Sequence, residues 1–470
     1  MENRKRLDWP RIMKIVFYCM MGIQIMFGIL WMIRNFTAVP AFGDSKEYLE
    51  LGKTMILDEY RPVLYPLLLR GIGWVESVTS IPLPVILYTM QTMASFGAVL
   101  YGVRKLDEVI LAGDQFLADR KIVHVFFSFY LVTIPMITFM NFTVLTDSLA
   151  TSALILFLTG MVVFLNEASV KVSACILVTV SLMVQSLLRA DRLYSCILVL
   201  TICLIIRLVR TLENRKRITI AVLAISLISI GSVRMISHMT QTPGIHGRVQ
   251  TNLSFVLLDR IVWPNMAANY PDFPQEIQEA ISIEDARKFD EHNNNVMYQM
   301  APLLEGKVGQ ERAKDMYRQM AAIVFKNQTK KVLADIGEDI LAMAVSPVSS
   351  LLHAYGRCEK NDSWNLHCMS TKTPSLTKNY NLYYQYSFVI SIVFGGILSV
   401  IYMWKKESRN IGRAISAFVP YLLFGGVLTL WFCLGDGAPP NDRYAMIIYI
   451  AWALLDAALW GMWQRTPKAA

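Results

Sequence analysis

Charged residues are scarce in this chain: Asp, Glu, Lys and Arg make up 17% of its 470 residues, whereas 54% are hydrophobic. The six histidines are scattered singly, without HExxH or comparable metal-site spacing, and no glycine-rich phosphate loop occurs. We therefore expect no cofactor, no resident metal and no soluble nucleotide chemistry. The net charge of +9 does not indicate a nucleic-acid partner, because the lysines and arginines cluster between apolar runs.

Long apolar runs are what the chain has in abundance. The mean hydropathy is +0.40, and near-uncharged runs of about 18 to 21 residues recur, which is the length a helix needs to cross a bilayer. We predict an all-α, polytopic membrane protein with about ten transmembrane helices. The predicted spans are residues 15–33, 83–103, 122–139, 148–165, 171–188, 193–209, 218–237, 385–404, 412–433 and 444–463.

Basic residues predict the orientation of these spans. Arg4, Lys5 and Arg6 precede the first run, and the other basic clusters fall on the same side, which the positive-inside rule makes cytoplasmic. We expect both termini in the cytoplasm, no cleaved signal peptide, and a multi-pass protein of a bacterial plasma membrane. The predicted parts are an N-terminal transmembrane module of about seven helices (1–238), an extracytoplasmic loop domain (239–384) and about three C-terminal transmembrane helices (385–470).

The loop at 239–384 is long enough to form a small domain. Its periodicity predicts mostly helix, with one helix over 310–345 that ends before Ser346-Pro347, since the residue before a proline resists helical angles. Cys358 and Cys368 are a candidate disulfide if the loop faces an oxidising compartment, and the sequence leaves their oxidation state open.

Acids and an arginine gather in the first outer loop, residues 34–82. Asp44 and Glu47 begin a short amphipathic helix, and Arg61 follows it. Asp44 and Glu47 fit a capping box at the helix N-terminus, and Asp44 equally fits a catalytic base. The two roles are compatible, because a helix N-terminus favours the ionised carboxylate that a base needs. Arg61 is either part of this site or a surface residue.

Further acids and arginines stand at the outer ends of other spans: Asp147 before the fourth, Arg189, Asp191 and Arg192 between the fifth and sixth, and Arg443 before the last. Such a set suits a reaction in which a carboxylate takes a proton and arginines hold an anionic leaving group. Asp147 also fits a simple helix N-cap, and Arg189 and Arg192 also fit anchors in the lipid headgroups.

Five short motifs occur in an order that is known from one enzyme class. They are GDSKEY from Gly43, RPVLYPLL from Arg61, LTDSLA from Leu145, RAD from Arg189 and RY from Arg443. With a long outer loop after the seventh span, the order resembles the GT-C class of integral-membrane glycosyltransferases, and within it the branch of protein O-mannosyltransferases and aminoarabinose transferases. The long loop is similar in position only.

The resemblance implies a reaction at the outer face of the membrane. A sugar would pass, with inversion, from a polyprenyl-phosphate donor to a hydroxyl of a lipid, glycan or protein acceptor, with Asp44 as the general base. The residues implied to bind the donor phosphate are Arg61, Arg189, Arg192 and Arg443, and the supporting residues are Glu47, Tyr48, Asp147 and Asp191. Ser45 stands where many relatives have a second acid, which puts a metal-assisted mechanism in doubt.

Two other functions fit the same features. A lipid or polysaccharide transporter or flippase would use the arginines to pass phosphate headgroups, but it would need polar residues in its spans. Apart from Arg207, Arg234 and Asp456, we expect the spans to lack them. A non-catalytic subunit of envelope glycan assembly would keep the fold without turnover.

Overall fold

The computed structural model describes most of the chain and locates its helices. The described residues are 9–36, 43–57, 61–110, 121–166, 171–189, 192–210, 215–242, 262, 265–291, 301–345, 374–404, 418–427 and 450.

Within these residues the regular structure is helical and contains no strand. The helices are α1 (Trp9–Asn35), α2 (Gly43–Thr54), α3 (Leu64–Thr79), α4 (Leu83–Ile110), α5 (Lys121–Val132), α6 (Pro135–Asn141), α7 (Asp147–Asn166), α8 (Val172–Leu188), α9 (Arg192–Arg210), α10 (Arg215–Thr240), α11 (Met266–Asn269), α12 (Gln275–Ala280), α13 (Ile283–Glu291), α14 (Ala301–Val308), α15 (Gln310–Val345) and α16 (Pro374–Trp404).

Five described helices, α1, α4, α7, α9 and α10, are long and apolar enough to cross a membrane, and the bent pair α5–α6 makes six if it counts as one span. This confirms the prediction of an all-α membrane protein. The helix α8 and the helical segment Phe418–Val427 are apolar but shorter. The count of ten stays a prediction, because most of residues 405–470 lie outside the described part.

The centre of the membrane-spanning bundle is α7, which packs mainly against α4 and α8. In the apolar 18-residue stretch of α7, 83% of the residues are buried in the protein, compared with 28% in the corresponding stretch of α1. Glycine allows this close packing: a Cβ added to Gly160 of α7 would lie 2.7 Å from Val178 Cγ2 of α8. Small residues at helix contacts are typical of membrane bundles, where close van der Waals packing drives association.

The third predicted span, 122–139, is a broken helix. A proline begins α6, and α5 and α6 meet at an angle of 74°. The carbonyls freed by the break are satisfied by side chains: Thr138 Oγ1 donates to Val132 O at 2.9 Å, and Gln24 Nε2 donates to Thr133 O at 2.8 Å. Internal partners of this kind let a broken helix persist at membrane depth.

The ends of several helices meet at one end of the bundle, which we call the first-loop end because α2 and α3 lie there. Gln91 Nε2, near the start of α4, donates to Asn141 O at the end of α6 (2.8 Å). Beyond α10, Thr242 exchanges two 3.0 Å hydrogen bonds with the backbone of Leu57, which follows α2. The first contact joins α4 to α6, and the second ties the first loop to the chain that follows α10.

A second buried apolar cluster lies between residues 262 and 332, apart from the main core. It is built on α11 to α15, with Phe273, Ile277, Tyr317 and Val324 among its buried side chains. The predicted helix over 310–345 is confirmed as α15, with a kink at Gln328 (φ −130°, ψ 33°). The boundaries of the predicted loop domain, 239–384, stay a prediction.

Candidate active site

Arg61 bridges two carboxylates of the first loop. Its Nη2 lies 3.0 Å from Asp44 Oδ1 and 2.7 Å from Glu47 Oε2. The two acids are three residues apart at the start of α2, so they share a face of that helix. The chain then turns back, which brings Arg61, just ahead of α3, over them. The predicted grouping of these three residues is therefore present in the structure.

Tyr48 contacts Arg61 through both its hydroxyl and its ring. Its hydroxyl accepts a hydrogen bond of 3.1 Å from Arg61 Nη1, and its ring lies 4.7 Å from the guanidinium carbon. The Arg61 side chain is 11% exposed, whereas those of Asp44 and Glu47 are 35% and 38% exposed. The arginine is thus held from the protein side, while the acids stay open to solvent. We call Asp44, Glu47, Tyr48 and Arg61 the Arg61 cluster.

Asp147 and Arg189 form a second ion pair at the first-loop end. Asp147 is the first residue of α7 and is 2% exposed, and its Oδ1 lies 2.7 Å from Arg189 Nη1. Arg189 follows α8 with an extended backbone (φ −144°, ψ 117°). A buried carboxylate requires a partner of this kind because desolvation of an isolated charge is costly. Asp147 is therefore more than a helix cap.

Tyr65 of α3 packs against the Arg61 cluster. Its ring packs edge-on against that of Tyr48, with 5.0 Å between centroids. Burial, together with nearby groups that include Tyr48 and Asp147, raises the pKa of Tyr65 well above its usual value. The phenol therefore stays protonated, and its hydroxyl donates to Gln91 Oε1 at 3.4 Å. A neutral tyrosine therefore packs against Tyr48, and the charge of Asp147 acts on the same tyrosine.

Of the other predicted site residues the structure describes Arg192, whose backbone N–H donates to Arg189 O at 3.2 Å. Arg192 begins α9, is 5% exposed, and holds its guanidinium 5.8 Å from the ring of Phe424. Asp191 and Arg443 lie outside the described residues. Ser45, at the position of the second acid in many relatives, is buried, and its hydroxyl has no hydrogen-bond partner among the described residues.

Sequence reasoning missed a buried polar cluster beside Asp147. Asn141 Oδ1 accepts hydrogen bonds from Ser95 Oγ (2.8 Å) and Ser148 Oγ (2.5 Å) and lines a small cavity with Ser152. The expectation that the spans lack polar residues is wrong, since Gln91 and these side chains are buried in them. Asparagine and glutamine inside apolar runs are the signal that would have indicated the cluster.

The described residues contain no group of three or more His, Cys, Asp or Glu side chains arranged to hold a metal ion. The Arg61 cluster places a solvent-accessible carboxylate beside a guanidinium. Such a pair can accept a proton and bind a phosphate or carboxylate anion.

Comparison with known protein families, curated proteins and solved structures finds no match to this chain. The assignment of a function therefore depends on the residues and their geometry.

Proposed function

We propose that this protein is a membrane glycosyltransferase that moves a sugar from a polyprenyl-phosphate donor to an acceptor hydroxyl. The observation that carries the proposal is the contact of Asp44 with Arg61 at the first-loop end of the candidate spans. It joins a group that can accept a proton to a group that binds phosphate oxygens. The proposal includes a GT-C-like bundle of about ten spans, with this end outside the plasma membrane.

The reaction needs a base but no separate general acid. The donor is a phosphodiester with one negative charge. As the acceptor oxygen bonds to the anomeric carbon, Asp44 takes the hydroxyl proton, and the bond from that carbon to the phosphate oxygen breaks. The electron pair leaves with polyprenyl phosphate, which gains a second negative charge. Attack opposite the phosphate inverts the anomeric carbon, and fixed positive charge stabilises the leaving group.

The contacts of Arg61 make the donor bind before Asp44 becomes an effective base. While Arg61 bridges Asp44 and Glu47, the guanidinium competes with the acceptor proton for the Asp44 carboxylate. A donor phosphate at the cluster would draw the guanidinium towards itself, because the negative charge of the phosphate grows as the bond to the sugar breaks. Asp44 would then become the stronger base at the stage when the acceptor loses its proton.

The other predicted residues keep supporting roles in this proposal. Arg189 is engaged with Asp147, so we assign the pair to fixing α7 against α8 beneath the site. Arg192 and Arg443 are the further candidates for contact with the donor phosphate, and Asp191 stays a candidate supporting residue. The acceptor is a lipid, a glycan or a protein hydroxyl.

The test is transfer from a radiolabelled polyprenyl-phosphate sugar by purified protein in nanodiscs. We expect Asp44→Asn to lower turnover by about 10²- to 10⁴-fold with unchanged folding, because it removes the base and keeps the shape. Glu50→Gln is the matched control, since Glu50 lies on α2 outside the Arg61 cluster and is exposed. Full turnover by Asp44→Asn would contradict the role of Asp44 as base.

Transport of a lipid-linked glycan is the second candidate, and the break between α5 and α6 favours it, because transporters often build sites at broken helices. Here the carbonyls at the break are bonded to the protein's own side chains, Thr138 and Gln24. We therefore rank transport second. Movement of a fluorescent polyprenyl-phosphate sugar between leaflets without sugar transfer would favour transport. Failure of wild-type protein in both assays would favour a non-catalytic subunit.

A further inference from the structure

The helix α3 is apolar on two opposite faces. Tyr65, Leu69 and Ile72 are buried in the main core. On the other side, Leu67, Gly71, Trp74 and Val78 follow one another at helical spacing and form a single exposed stripe. The exposed fractions are 52% for Leu67, 68% for Trp74 and 67% for Val78. A helix facing water would carry polar residues along such a stripe.

Of the two charged side chains of α3, the basic one is exposed beside this stripe and the acidic one bonds to the next helix. The one acid of α3, Glu76, is directed to the next helix, where its Oε1 accepts a hydrogen bond of 2.9 Å from Leu83 N–H at the start of α4. The one basic residue of α3, Arg70, is exposed beside the stripe. An apolar stripe flanked by a long cationic side chain suits a surface that is apolar below and anionic above.

The position of α3 indicates which surface this is. Its 16 residues reach about 24 Å at 1.5 Å per residue, less than the roughly 30 Å of a bilayer core. It lies in sequence between the candidate spans α1 and α4, and residues 80–82 alone separate it from α4. Ser80 turns the chain there with a left-handed backbone (φ 59°). The stripe is therefore held at the mouth of a span.

We propose that α3 is an interfacial helix whose stripe of Leu67, Gly71, Trp74 and Val78 rests among the lipids of the leaflet at the first-loop end. Arg70 reaches the headgroup phosphates of that leaflet, and Trp74 occupies the interface that tryptophan prefers. The inference does not depend on the reaction proposed for Asp44. It sets the Arg61 cluster, immediately before α3, at the level of lipid phosphates.

Site-directed spin labelling of the full chain tests this surface. Single cysteines are introduced by Leu67→Cys, Trp74→Cys and Val78→Cys in a chain whose seven native cysteines are replaced by alanine. The labelled protein is placed in nanodiscs of phosphatidylcholine and phosphatidylglycerol. Lys46→Cys and Glu50→Cys on α2 are the controls, because both positions are exposed on a polar helix. Elution volume and circular dichroism verify that each variant is folded.

Collisions with oxygen report exposure to lipid, and collisions with a water-soluble nickel chelate report exposure to water. We expect the oxygen-to-nickel ratio to be several-fold higher at all three stripe positions than at the two α2 controls. A ratio equal to that of the controls would show a water-facing helix and overturn the proposal. Exclusion of both reagents would show that a second copy or another segment of the chain covers the stripe, and it would overturn the proposal equally.

Discussion

Arg61 Nη2 lies 2.7 Å from Glu47 Oε2, closer than the 3.0 Å that separates it from Asp44 Oδ1. Glu47 therefore competes with Asp44 for the same guanidinium. In the proposed reaction both acids also compete with the donor phosphate for Arg61, but Asp44 alone is the base. Removal of the Glu47 charge should therefore change donor binding, and removal of the Asp44 charge should change turnover.

Glu47→Gln should improve donor binding, whereas Asp44→Asn lowers turnover. Loss of the Glu47 charge removes one competitor for Arg61. For a partly exposed pair this amounts to about 0.5–1 kcal/mol, or a donor KM lower by about two- to fivefold. Steady-state kinetics at saturating acceptor measure the effect, with Glu50→Gln as control. A donor KM that rises in Glu47→Gln would show that Glu47 contacts the substrate itself.

The pair of Asp147 and Arg189 should be coupled in stability. Asp147→Ala leaves the Arg189 guanidinium facing a buried site, and breaking a buried pair in this way costs about 3–5 kcal/mol. The double variant Asp147→Ala/Arg189→Ala should be less destabilised than the sum of the single variants, because neither charge is then left alone. Unfolding titrations of the four proteins in mixed micelles measure the coupling. Additive losses would mean that the contact contributes nothing.

Gly160→Ala should destabilise the bundle, because the new Cβ would lie 2.7 Å from Val178 Cγ2. Overpacking of this kind costs about 1–3 kcal/mol. The matched control is Gly97→Ala on α4, where an added Cβ meets nothing within 4 Å. Thermal unfolding of both variants in the same detergent gives the comparison. An equal melting temperature for the two variants would contradict the close packing of α7 on α8.

Glu305 should make the second cluster less stable as pH rises. Burial raises the pKa of Glu305 above its ordinary value of 4.5, against smaller opposing effects of the Tyr317 hydroxyl and Lys314. The folded state thus holds the proton more tightly than the unfolded state. The contribution of Glu305 to stability is fully present below pH 4.5 and is lost as pH rises through the raised pKa. Hydrogen-exchange protection factors over residues 301–332, which are corrected for the intrinsic exchange rate at each pH, should be lower at pH 7 than at pH 4 in the wild type and should change less in Glu305→Gln.

The sequence by itself determined the class of structure. Runs of apolar residues long enough to cross a bilayer predict helices, since lipid offers the backbone no other partner. The predicted spans at 83–103, 148–165, 193–209 and 218–237 coincide with α4, α7, α9 and α10. The helix predicted over 310–345 likewise coincides with α15.

Only the tertiary structure decided which charged groups meet. Asp44 and Glu47 are local neighbours on one helix, but their joint partner Arg61 depends on how the chain turns after α2. Asp147 and Arg189 are 42 residues apart and meet because α7 and α8 pack as antiparallel neighbours. The predicted span over 122–139 is likewise bent between α5 and α6, and the freed carbonyl of Thr133 accepts hydrogen bonds from Gln24 of α1 and Tyr380 of α16. Hydrophobic length is a property of a segment, whereas a partner for a charge or a carbonyl is a property of the packed bundle.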